Sequence, residues 1–182
     1  MTLSPEGLPT DTGLVLRAQS IKLILMDCDG VLTDGRIILL PDGEEIKNFH
    51  VLDGQGIALA KRAGLRVGII SGRRSRVLER RASESHCDFL RQQVEDKLAA
   101  YEAIVAEAGL TYREVAYIGD DLPDLAPMRR AGLAIAVANA VIEVKATAQL
   151  ITRQSGGDGA VREAIEFILR AQARWQSVLN GF

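Results

Sequence analysis

A chain of 182 residues, 47% hydrophobic and 25% charged, is long enough to bury a core without disulfide or metal staples and too apolar to stay disordered. Its net charge of −2 leaves no basic surplus for a phosphate backbone, which excludes nucleic acid as the main partner but leaves room for a small anion held by local cations. Cys28 and Cys87 lack metal-pair spacing and suit a reducing compartment; with no signal-like start and no apolar run of membrane-spanning length, the expected location is the cytoplasm and no membrane contact is expected.

In chain order, residues 1–19 are rich in Pro, Gly and Thr and are expected to fray. The unbroken β-prone run 21–26 is the first central strand, and it stops at an acidic, glycine-containing loop. Runs 36–40 and 44–49 flank Pro41-Asp42-Gly43 and form a hairpin (36–49) that a β-to-α crossover does not need. Its Ile37, Ile38 and Leu39 would be a liability in a monomer, which points to an association surface.

A helix over 54–63 ends at Gly64, and 65–70 is the second strand. Then follow a helix at 75–85, a strand at 87–90, a helix at 95–108 stopped by Gly109, and a strand at 114–118. Helix 122–131 tolerates Pro123 in its first turn, strands 133–137 and 149–152 enclose a helix at 141–147, and 159–179 is a terminal amphipathic helix. Short apolar runs alternating with longer amphipathic ones specify an α/β fold with a parallel sheet, in a single domain over 1–182.

Ligands of open α/β sheets bind at the carboxyl ends of the strands. Those ends carry Asp27 and Asp29 after the first strand, Ser71 after the second, and Asp120 and Asp121 after 114–118. Carboxylates gathered at one edge repel one another, and either protons or a divalent cation relieve this; hard oxygen donors in a partly open site select Mg²⁺. Phosphoryl transfer uses such parts: a carboxylate nucleophile, a metal, loop amides and an acid for the leaving alcohol. Ser71 can donate to a phosphate oxygen, and Lys97 can keep Asp27 ionised. Taken singly, these are an acidic turn, a strand-end serine and a solvated helix lysine; falling in order at one sheet edge, they form a site.

The set Asp27-x-Asp29, Ser71, Lys97 and Gly119-Asp120-Asp121 resembles the haloacid dehalogenase superfamily of phosphohydrolases. The narrower resemblance is to the 3-deoxy-D-manno-octulosonate 8-phosphate phosphatases. It rests on Asp27-Cys28-Asp29-Gly30-Val31-Leu32-Thr33-Asp34-Gly35, Asp53-Gly54-Gln55-Gly56-Ile57, Ile70-Ser71-Gly72-Arg73, the stretch 115–124 and Gly156-Gly157-Asp158-Gly159 with the residues to Glu163. That family implies a capless, Rossmann-like doubly wound domain, assembled as a homotetramer through the hairpin, with neighbouring subunits closing each site.

The resemblance also implies roles. Asp27 would be nucleophile and metal ligand, Asp29 the acid/base and a metal ligand through its backbone carbonyl, and Asp120 the third ligand, with Asp121 and Asp124 in support. Ser71, Arg73 and Lys97 would hold phosphate or substrate. Arg81, and the stretch from His50 through Asp53 to Gly54, would lie along the sugar acid. Two positions depart from the family pattern: Gln93, where glycine is frequent, and Ala58, where some members carry a basic residue. A phosphatase for a nine-carbon ulosonate 9-phosphate and a non-catalytic oligomerisation relative are the alternatives.

Overall fold

The computed structural model describes residues 11–180. Its centre is β1 (Leu23–Met26), every residue buried, which explains the unbroken apolar run: a strand covered on both faces has no polar side. β4 (Arg66–Ile70) lies parallel to it on one side and β6 (Val115–Gly119) on the other. With β5 (Phe89–Arg91), β7 (Leu133–Ala136) and β8 (Leu150–Ile151), they form a six-stranded parallel sheet in the order β5-β4-β1-β6-β7-β8. The chain winds outward from β1 to β5 and then returns to the far side of β1, so β1 is the switch point where such sheets bind ligands.

Helices flank this sheet. α1 (Thr12–Gln19), α2 (Val51–Arg62) and α7 (Ala160–Ala171) pack together, as do α4 (Lys97–Glu107), α5 (Leu125–Arg130) and α6 (Ile142–Thr147). α3 (Arg76–Glu84) joins β4 to β5, and α8 (Trp175–Leu179) ends the described chain. No helix among the described residues is long and apolar enough to cross a membrane.

Three expectations need correction. The expected fraying of 1–19 does not hold beyond residue 10, the earlier residues lying outside the described part. Asp11 caps α1 by accepting from the Gly13 and Leu14 amides at 2.9 and 3.2 Å, Leu14 and Ala18 are buried, and the Gln172 side chain donates to the carbonyls of Ala18 and Ile21. The hairpin is present, but its paired strands are only β2 (Ile38–Leu39) and β3 (Glu45–Ile46), antiparallel and separate from the main sheet. The terminal helix is two: Ala173 adopts a left-handed φ of 55°, which separates α7 from α8 without a glycine or proline to signal it.

Candidate active site

β1 delivers Asp27 at the switch point. Its Oδ1 accepts from the Cys28 amide at 2.7 Å, and its Oδ2 lies 2.8 Å from Lys97 Nζ. Lys97 reaches it because Asp96 caps α4, accepting from the Leu98 and Ala99 amides, and so starts the helix beside the β1 edge. The Lys97 side chain is 6% exposed, and its ammonium bridges Asp27 to Asp124 Oδ1 at 2.7 Å.

Asp124 is fully buried and organises the loop after β6. Oδ1 also accepts from the Tyr117 hydroxyl at 2.9 Å, while Oδ2 accepts from the Asp120 and Asp121 amides at 3.0 and 3.3 Å. These bonds fix the backbone that carries Asp120. Asp121, by contrast, is exposed and caps the short turn Leu122–Asp124 through the Leu122 amide.

Oxygens of Asp27, Asp120 and Asp124 all lie within 4.8 Å of one another. Burial first, and then its acidic neighbours, push the Asp27 carboxyl up to about 6 and the Asp120 carboxyl up to about 7. Desolvation works against the charge on Lys97, but the carboxylates of Asp27 and Asp124 outweigh it and hold its pKa above the ordinary value. Asp120 Oδ1 is buried with no hydrogen-bond partner, an orphaned hard oxygen beside two other carboxylates. Hard donors with excess negative charge and one unsatisfied oxygen fit Mg²⁺.

The nucleophile loop is clamped from behind. A β-carbon on Gly156 would fall 1.7 Å from the Gly30 carbonyl oxygen, the Gly157 amide donates to the Val31 carbonyl at 2.9 Å, and the Gly156 amide donates to Asn139 Oδ1 at 2.8 Å. The glycine cluster before α7 is therefore a wall of the Asp27 loop as well as a turn.

The other expected residues divide. Ser71 is buried at the end of β4, and its Oγ accepts from the Arg73 amide at 3.3 Å; a hydroxyl that accepts one bond can still donate one. Asp29 keeps its carboxylate apart from the acid cluster and pairs with Lys47 of the hairpin. Arg73 bonds Glu45 of the same hairpin at 3.2 Å. Arg81 lies over the Phe49 ring, 5.6 Å from its centroid, and passes Gly54 so closely that a β-carbon there would be 2.1 Å from Nη2. His50 caps α2 through Nδ1, 3.2 Å from the Leu52 amide, with Nε2 3.8 Å from Asp158.

Asp53 departs from the expected sugar contact. It is 1% exposed, and its two oxygens accept from the Gly159 and Arg162 amides at 3.2 and 2.9 Å, so it anchors the start of α7 to α2. Lys47, Glu45 and Tyr117 were missed. For the first two, the alternation Glu45-Ile46-Lys47 was the available signal; for Tyr117, inside a strand that reads as core, there was none.

The geometry has counterparts among known proteins. Residues 79–165 match the haloacid dehalogenase-like hydrolase family. The 3-deoxy-D-manno-octulosonate 8-phosphate phosphatase KdsC of Yersinia pestis is 43% identical over 164 residues, covering 90% of this chain and 88% of that protein. A crystal structure of the phosphatase of that name from Moraxella catarrhalis, in complex with magnesium ion, phosphate ion and a KDO molecule, is 41% identical. It superposes with a TM-score of 0.92 over 94% of this chain and 99% of that one. A probable YrbI-family phosphatase from Pseudomonas syringae gives a TM-score of 0.92 at 47% identity, covering 94% and 97% of the two chains. Identity of this order across nearly the whole fold, together with the acid cluster at the end of β1 and β6, establishes that the chain belongs to the 3-deoxy-D-manno-octulosonate 8-phosphate phosphatase family of haloacid dehalogenase-like hydrolases.

Proposed function

We propose that this chain hydrolyses the phosphomonoester of 3-deoxy-D-manno-octulosonate 8-phosphate with Mg²⁺ as cofactor, through an aspartyl-phosphate on Asp27. The observation that carries the reading is the Asp27 carboxylate, held 2.8 Å from a buried lysine and grouped with Asp120 and Asp124 at the mouth of β1.

In the first step, an Asp27 oxygen bonds to phosphorus as the bond from phosphorus to the sugar oxygen breaks, and Asp29 gives that oxygen its proton. In the second, Asp29 takes a proton from a water that attacks the same phosphorus and frees Asp27. Lys97 favours the ionised, nucleophilic form of Asp27 and offsets phosphate charge. Asp27, Asp120 and the Asp29 backbone carbonyl would hold Mg²⁺. When bound, the metal neutralises charge on the phosphoryl oxygens and the surrounding acids. Ser71 and Arg73 would hold the phosphate, and His50, Gly54 and Arg81 would lie along the sugar acid.

Assembly as a homotetramer through the hairpin belongs to the same reading. It is supported by the exposure of Ile37, Ile38, Leu39 and Ile46, each 40–66% accessible. A cytoplasmic setting is supported by the free thiols Cys28 and Cys87.

Phosphate release from a panel of ulosonate phosphates, with and without Mg²⁺, tests the assignment. The eight-carbon ester should be turned over fastest and only with the metal. Faster release from the nine-carbon ester would transfer the assignment to that substrate, and no release from any member would contradict the proposed activity.

A further inference from the structure

Arg36, Asp42 and Glu44 of the hairpin are exposed, but the segment Glu45-Ile46-Lys47 turns its apolar side chain outward and its two charges toward the protein. Side chains alternate along a strand, and in Glu45-Ile46-Lys47 the middle residue is 43% exposed while the Lys47 side chain is 3% exposed. A lysine ammonium is desolvated to this degree only when it is paired. Here Nζ pairs with Asp29 Oδ1 and lies 3.8 Å from Glu45 Oε2. Glu45 Oε2 in turn accepts from Arg73, two residues beyond Ser71. The inward face of β3 thus ties the loop after β1 to the loop after β4, across the mouth of the site.

The geometry points to Lys47 as a positioning residue for Asp29. The inference rests on the phosphatase reading above, in which Asp29 protonates the leaving oxygen. A carboxyl on a partly open loop turns freely about its side-chain bonds. Pinning Oδ1 to a buried ammonium leaves Oδ2 as the oxygen that meets the substrate. As the bond from phosphorus to the sugar oxygen breaks, the proton passes from Oδ2 to that oxygen, and the carboxylate left on Asp29 already faces the Lys47 charge. Oriented proton transfer of this kind is what lets general-acid catalysis contribute. The hairpin is accordingly part of the catalytic apparatus of its own chain, whatever its outward face meets.

The test exploits the leaving group. A sugar alkoxide needs the proton from Asp29; p-nitrophenolate leaves without one. Rates with Mg²⁺ are measured on 3-deoxy-D-manno-octulosonate 8-phosphate and on p-nitrophenyl phosphate, for the wild type, Lys47→Met, Lys47→Arg and Asp29→Asn. Because the water step that also uses Asp29 is common to both esters, the comparison is made in kcat/KM, which reports the steps up to departure of the leaving group. Lys47→Met should lower kcat/KM on the sugar ester about tenfold or more beyond its effect on the aryl ester, a fraction of the roughly 10²–10⁴ that general-acid catalysis supplies. Asp29→Asn should show the same selectivity, and Lys47→Arg should recover most of the loss. An equal fall on both esters would mark Lys47 as merely structural, and no fall on either would remove it from the reaction; both outcomes overturn the proposal. A wild-type chain inactive on both esters overturns the phosphatase reading itself.

Discussion

Gly30 and Asp120 compete for one volume: a β-carbon on Gly30, whose φ is 96°, would lie 2.0 Å from Asp120 Oδ2. Gly30→Ala should therefore push Asp120 out of the acid cluster and strain a left-handed backbone. The expected result is loss of Mg²⁺-dependent thermal stabilisation and of phosphate release, with a stability cost of about 1–3 kcal/mol. Gly54→Ala makes a useful contrast. Its β-carbon would meet the mobile end of Arg81, 2.1 Å from Nη2, so the guanidinium can swing aside. That variant should raise KM for the sugar ester while shifting the melting temperature much less than Gly30→Ala.

Lys97 separates two buried carboxylates, at 2.8 Å from Asp27 and 2.7 Å from Asp124. Lys97→Met keeps the stem but leaves both acids facing each other without a cation. Breaking a buried pair of this kind costs about 3 kcal/mol or more, read as a lower urea midpoint in EDTA. Mg²⁺ should restore part of the loss, because it supplies positive charge to the same acids. A midpoint equal to the wild type would mean that Lys97 is not needed to hold them.

The raised carboxyls fix the pH dependence. Burial, with acidic neighbours, sets Asp27 at about 6 and Asp120 at about 7 in the folded chain. Without metal, the folded state thus holds protons that the unfolded chain releases near pH 4. Their contribution to stability is full below that value and is lost as pH rises through about 6 to 7. Mg²⁺ must displace these protons, so its stabilisation should be larger at about pH 8 than at about pH 5.5. Thermal unfolding with EDTA and with Mg²⁺ at the two pH values checks this; an equal increment at both would contradict it.

Gln93 occupies a left-handed φ of 56°, a conformation that glycine adopts without steric cost. Gln93→Gly should stabilise the chain by about 0.5–1 kcal/mol, the relief of left-handed strain being partly offset by a more flexible unfolded chain. Lys97 keeps its bonds to Asp27 and Asp124, so kcat should be unchanged. A lowered melting temperature would show that the Gln93 side chain contributes more than its backbone costs.

β1, β4 and β6 were legible because strands covered on both faces write themselves as apolar runs, and Asp27, Ser71 and Asp120 follow from where those runs stop. Lys97 was legible only with its companions, since a lysine at a helix start is ordinarily solvated. Asp53 was misread as a sugar contact because its partners, the amides of Gly159 and Arg162, lie more than a hundred residues away in sequence. The break at Ala173 escaped for a local reason: a left-handed residue with a β-carbon leaves no compositional mark. Lys47 lay in a hairpin read only for its outward face, although the alternation that hides Glu45 and Lys47 is visible in the same three residues.

The central claim is that Asp27 is the group that takes the phosphoryl. Its most direct test is phosphate release from 3-deoxy-D-manno-octulosonate 8-phosphate in Mg²⁺ by the wild type and by Asp27→Asn, with thermal unfolding recorded for both. The account predicts turnover by the wild type and none by the variant, at comparable melting temperatures, since Lys97 keeps its bond to Asp124. Sustained phosphate release by a folded Asp27→Asn chain would contradict it.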